Sequence, residues 1–191
     1  MFIPRHPVVE NQFCQFAETT ISGGTGDVLA YAGSACYLDD SQTDSTVKIF
    51  AADEDKECFG FLMQKVKAGY HAVHPVGFVL PGDLGSSDVI AQPKYDNNGR
   101  IVGTKPAPVG VAHLGIWDTI HYNNGGNALN AGTILGVRKN SMSELTGQSG
   151  DMNSRTSNKS VAIVLKGASS AQVTANENNT TLYPIRVKLL K

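Results

Sequence analysis

The chain is expected to fold as a mainly β protein, one or two small barrel-like or sandwich-like domains with an extended N-terminal arm and little helix. Three observations predict this. Short runs rich in Val, Leu, Ile, Tyr and Cys recur at even spacing between turn residues. Twenty glycines, many Ser, Thr and Asn and only 17% charged residues make a turn-rich, lightly charged composition, suited to β proteins that pack against neighbours. Prolines at positions 4 and 7 break any helical period at the start. At 191 residues the chain is long enough to bury a core without metal or disulfide staples.

Residues 1–18 read as the arm. Its first sixteen residues carry Phe2, Ile3, Pro4, Pro7, Val8, Val9, Phe13 and Phe16. Left in water, this apolar surface would cost about 25 cal/mol per Å². It is therefore expected either to lie across its own β-domain or to dock on a partner, and these eight residues are the candidate contact set.

Residues 19–92 form a first β-rich domain or half, with strands near 28–31, 35–38, 46–51 and 58–66 and a helical turn or tight loop at 53–57. Farther on, Pro75 and Pro81 limit any central strand to short pieces. The tract 93–108 holds three prolines around KYDNNGRIVGTKP, and Asn97-Asn98-Gly99 is a hairpin turn signal, so a projecting hairpin or linker is expected there. Residues 109–191 repeat the rhythm as a second β-rich half. Each half places an Ala-Gly turn before a strand, Ala32-Gly33 before SACYL and Ala131-Gly132 before TILGV. The polar insert 141–160 lacks core-forming residues and is expected to be a mobile loop, with a short helix at SMSELTG as the alternative.

Motifs for chemistry are weak throughout. GGTGDV lacks the Lys-Ser/Thr ending of a phosphate loop, and Leu29 stands where a dinucleotide fingerprint needs glycine. His71 and His74 with Asp83, or His113 with Asp118 and His121, are the only candidate metal sets. Zinc needs three or four converging ligands, and on a strand residues i and i+3 diverge, so polar surface roles are the better account. No G-x-S-x-G elbow occurs. Cys14, Cys36 and Cys58 sit in apolar surroundings and are expected to be buried free thiols. The acidic clusters at Asp39-Asp40 and residues 53–57 read as solvated turns rather than an acid-base pair. Asn178-Asn179-Thr180-Thr181 matches a glycosylation acceptor but reads as a polar turn, and Trp117 as a core residue. Neither catalytic residues nor a cofactor are expected.

The net charge of -1, without blocks of like charge, argues against nucleic acid and against a polybasic membrane contact. The N-terminus lacks the apolar region and cleavage site of a signal peptide, and no run of about 18 apolar residues exists. The chain is expected to be made in a reducing cytoplasm.

DVLAYAGSACYLDD, followed by ECFGFLMQKVKAG, resembles phage head decoration proteins of the lambda type. The shared pattern is a strand, an Ala-Gly turn, a strand, polar residues and a G-x-L-x-Q-x-V strand, here Gly60-Phe61-Leu62-Met63-Gln64-Lys65-Val66; it covers residues 21–79. The resemblance implies a capsid-stabilising protein of the virion surface. It further implies trimers over the local three-fold axes, with an extended N-terminal arm that pairs with strands of the major capsid protein. This chain is longer, which leaves a dimer or monomer open as well. The expected function is therefore that of a capsid decoration or cement protein. A head-tail or tail component is the first alternative, and a metal-dependent enzyme using His71, His74, His113 or His121 the second.

Overall fold

A computed structural model describes residues 2–5, 10–17, 28–50, 56–68, 88–137, 145–147 and 160–190. The protein is mainly β. Its strands are β1 (Phe2–Pro4), β2 (Glu10–Phe16), β3 (Val28–Ala30), β4 (Ala35–Leu38), β5 (Thr46–Ile49), β6 (Gly60–Leu62), β7 (Val66–Ala68) and β8 (Val89–Ala91). They continue with β9 (Pro93–Tyr95), β10 (Ile101–Thr104), β11 (Ala107–Thr119), β12 (Ile134–Val137), β13 (Leu145–Gly147), β14 (Ala162–Lys166) and β15 (Ile185–Leu190). The one described helix is α1 (Ser170–Glu177).

The architecture is organised by β11, 13 residues long. Val111 pairs with Gln12 of β2 and with Leu62 of β6, so those two strands flank β11 on opposite edges. With β5 beside β2 and β4 between β5 and β6, the strand path closes into a five-stranded barrel. Closure removes free edges where pairing with foreign strands would start. Higher along β11 the partners change. Leu114 pairs with Glu10 and Leu190, and Trp117 with Pro4 and Val187, so β1 continues the β2 edge while β15 continues the β6 edge. From β15 the sheet runs outward through β14 and β12 to β13 as an antiparallel wing.

Two cores follow from this branching. Cys14, Phe16, Cys36, Val47, Leu62, Val109 and Val111 belong to the cluster that includes the barrel interior. The opposite parity of β4 and β6, with Tyr37 and Phe61, packs together with the inner face of the wing, Trp117, Val164, Val187 and Leu189, and with Val173 of α1. The tracts on either side of 93–108 thus share the large sheet, and both clusters draw residues from each of them. Between them, β9 and β10 form the expected hairpin, where Asp96 Oδ1 accepts from the backbone N–H of Asn98 and Arg100 and Gly99 takes φ +74°. A third small sheet joins β3, β7 and β8, with Lys67 bonded to Asp88 at 2.6 Å.

The expected strand at 58–66 is instead two, β6 and β7, because Leu62 pairs toward β11 whereas Val66 pairs toward β3. Of the expected loop at 53–57, residues 53–55 lie outside the described residues and 56–57 carry no regular structure; most of 141–160 also lies outside, and within it 145–147 are strand rather than helix. Helix α1 was not foreseen. It carries a capping box in which Ser169 caps Gln172 and the Gln172 side chain bonds back to the Ser169 N–H.

Candidate functional site

The N-terminal residues are built into the sheet. Phe2 is only 2% exposed and stacks on Trp117, with ring centroids 4.3 Å apart and planes 7° from parallel; Phe61 lies 6.0 Å away. Ile3 and Pro4 are half-buried, Phe16 is buried in the barrel, and Pro7, Val8 and Val9 lie outside the described residues. Phe13 is different. It is 80% exposed and stands opposite Gly110, where the neighbouring strand presents no side chain. Of the eight apolar residues expected to make contacts, Phe2 and Phe16 therefore serve the protein's own core, while Phe13 faces solvent.

Just beyond β1, Arg5 donates its backbone N–H to Ile116 O and its Nε–H to Asp118 Oδ2 at 2.6 Å. Arg186 on β15 donates to the same carboxylate from the other side, Nε to Oδ1 at 2.9 Å and Nη2 to Oδ2 at 3.3 Å. Burial acts to raise the Asp118 pKa; the bonds from Arg186 and Arg5 and their positive charge outweigh it and hold the carboxyl below its usual range. Asp118 is a clamp joining the N-terminal strand to the C-terminal strand across β11.

Of the two histidine sets, the described one, His113 with Asp118 and His121, does not assemble into a metal centre. His71, His74 and Asp83 lie outside the described residues. His113 places Nδ1 2.9 Å from Phe59 O, and its ring meets the Phe59 ring edge-on. Asp118 is committed to two arginines, and His121 rests against Tyr31 with ring centroids 5.5 Å apart. Burial depresses the His121 pKa to about 4. Among the described residues no group of three or more His, Cys, Asp or Glu converges.

The three thiols are free and buried, as expected. Cys36 and Cys58 both point at Gly60 O, at 3.4 and 3.7 Å. Burial pushes the Cys36 thiol well up, so it is a poor nucleophile. Of the paired aspartates, Asp39 accepts from Ser41 Oγ at 2.7 Å and from Lys48 at 2.8 Å, and these bonds lower its pKa to about 2. A carboxyl so acidic holds no proton to donate near neutrality.

What the sequence reading missed is the outer face of the wing. Residues directly opposite on paired strands share a face, so the registers define three rows of side chains. The first joins Leu114 to Leu190. The second runs Ile116, Lys188, Ile163, Ile134 across β11, β15, β14 and β12. The third holds Ile3, Asp118, Arg186 and Lys166. Leu114, Leu190 and Ile134 are each more than 40% exposed, and Ile116 and Ile163 are partly exposed. A signal was present in VAIVL, continuous rather than alternating. Such runs mark strands covered on both faces, yet here only one face is covered.

Among the described residues, no helix is long and apolar enough to cross a membrane. Compared with protein-family models and with curated proteins, the chain matches none.

Proposed function

We propose that the protein is a virion structural protein that binds the outside of an icosahedral phage capsid and stabilises it. The observation that carries this reading is the strand grammar between DVLAYAGSACYLDD and the Gly60–Val66 segment, which resembles decoration proteins of the lambda type. The fold supports part of it: β4 follows a turn in which Gly33 takes φ +95°, and β6 starts at Gly60, while the Gly60–Val66 tract is divided between β6 and β7. The body is a closed barrel with a wing, and Phe13 projects from β2 into solvent. The partner in this reading is the major capsid protein, and repeated copies on one shell multiply a modest individual contact.

Co-sedimentation with expanded, empty shells assembled from the phage major capsid protein tests it. The intact chain is expected to pellet with the shells at a fixed ratio to the capsid subunits and to raise their melting temperature. Free protein left wholly in the supernatant would sink the reading.

A further inference from the structure

The outer face of the wing combines two properties that together describe a partner. The first is apolar exposure. Leu114, Leu190, Ile116, Ile163 and Ile134 lie on adjacent positions of four hydrogen-bonded strands, and Ile3 borders them. A solvated face of an antiparallel sheet ordinarily alternates to polar residues. Here the inner residues, Trp117, Val187, Val164 and Leu135, are buried, and on β11, β14 and β12 an outward neighbour is aliphatic as well, Ile116, Ile163 and Ile134.

The second property is charge. Lys188 sits within the central row between Ile116 and Ile163. Arg186 and Lys166 border it, and Arg5 reaches the same rim through Asp118. Against these four cations the described side chains of the face set one carboxylate, that of Asp118, already shared by two arginines; in the strand register Glu10 stands opposite Leu114 at the β2 edge. Lys188 and Lys166 have no ion pair among the described residues. A face with a cation in its centre disfavours a two-fold copy of itself, because Lys188 would approach Lys188 around the axis. It favours an apolar surface carrying carboxylates.

Size narrows the occupant further. Four strands at about 4.8 Å and three rows at about 7 Å make a patch of roughly 400 Å². A stable pair in solution buries roughly 800 Å² on each partner. The patch alone is too small to hold a dimer, and it suits a partner that presents the same site many times. As the face of a sheet it also suits the face of another sheet, about 10 Å away.

We infer that the outer face of β11, β15, β14 and β12 is a docking surface for an acidic, apolar protein face that recurs on a lattice. This rests on the capsid reading above, in which that face belongs to the shell.

The test uses the full chain, the empty shells, and the variants Lys188→Glu and Ile163→Ser. Both substitutions fall on the outer face, so unchanged melting temperatures establish that they fold; Lys188→Gln serves as a second charge variant if Lys188→Glu does not. Each is expected to weaken shell binding by about tenfold or more. Wild-type binding is expected to fall as salt shortens the Debye length from about 10 Å toward 3 Å. If wild type binds and all folded variants bind equally well, the docking face is overturned while the capsid reading stands. If wild type does not bind shells at all, both fall. Two further results overturn the inference in favour of another occupant: a wild-type dimer at micromolar concentration that Lys188→Glu disrupts, or wild-type binding to vesicles of equal parts phosphatidylcholine and phosphatidylserine.

Discussion

Phe2 sits second in the chain and yet is packed as tightly as residues in the middle of β11. Its ring lies flat on Trp117 and beside Phe61, and Gly33 leaves the space it needs: a Cβ there would come within 3.3 Å of the Phe2 ring. Removing a buried aromatic ring costs about 3–5 kcal/mol. Phe2→Ala is therefore expected to lower the melting temperature by roughly 10 °C, at about 2–4 °C per kcal/mol for a chain of this size; a shift under about 2 °C would mean that Phe2 does not pack there. Single titrating groups also set the acid response. The His121 pKa is depressed, so its contribution is complete above the unfolded value of 6.5 and is lost as pH falls toward about 4. The Asp39 carboxyl is likewise depressed, from 3.8 to about 2, so the bridge to Lys48 holds through neutrality and is lost only below about pH 4. Two acid phases are expected in melting temperature against pH. His121→Gln should flatten the upper one and Asp39→Asn the lower one, the latter costing about 1 kcal/mol at neutral pH.

At the scale of elements, what was legible in the sequence was whatever local chemistry decides. β4 and β5 were readable because the Ala32-Gly33 turn and the polar residues 39–45 bracket them, and the 93–104 hairpin because Asn98-Gly99 demands a turn. The break between β6 and β7 was not readable, since residues 63–65 hold neither glycine nor proline; the strands part because their partners differ. Helix α1 has no apolar stripe, only Val173 and Asn176 being buried, and its one sequence signal was Ser169 three residues before Gln172. It is held by tertiary bonds: Asn176 Nδ2 donates to Ile120 O at 3.0 Å, and Asn176 Oδ1 accepts from Tyr183 N–H at 3.3 Å. Asn176→Ala strands both partners and is expected to cost about 1–3 kcal/mol, read by chemical denaturation. Barrel closure hangs on Gly60, where an added Cβ would lie 2.6 Å from Ala112 O and from Val111 Cγ1. Gly60→Ala should therefore destabilise by about 1–3 kcal/mol. A result no larger than that of an alanine at an exposed, uncrowded position would show that β6 does not approach β11 this closely.

For the whole molecule, the decisive fact is that the sheet does not respect the order of the chain. Residues of β2 and β6, from the N-terminal part, and residues of β15, from the C-terminus, all hydrogen-bond to β11. The Asp118 clamp ties Arg5 to Arg186 across nearly the full chain length. Composition and turn spacing suggested two β-rich halves because each half repeats the same local rhythm, and nothing local reports that β11 serves both. A chain opened in the exposed Asn97-Asn98-Gly99 turn gives the corresponding test. The fragment 1–98 retains β2, β4, β5 and β6 but lacks the strand that closes their ring, and 99–191 retains the wing while exposing the inner side of Trp117 that Phe2 covers. Each fragment alone is expected to lack the dispersed amide spectrum of a packed core, whereas the two co-expressed should associate and recover it, because the turn itself contributes only local bonds to Asp96. Independent cooperative melting of either fragment would show instead that the cores are separable and that β11 merely joins them.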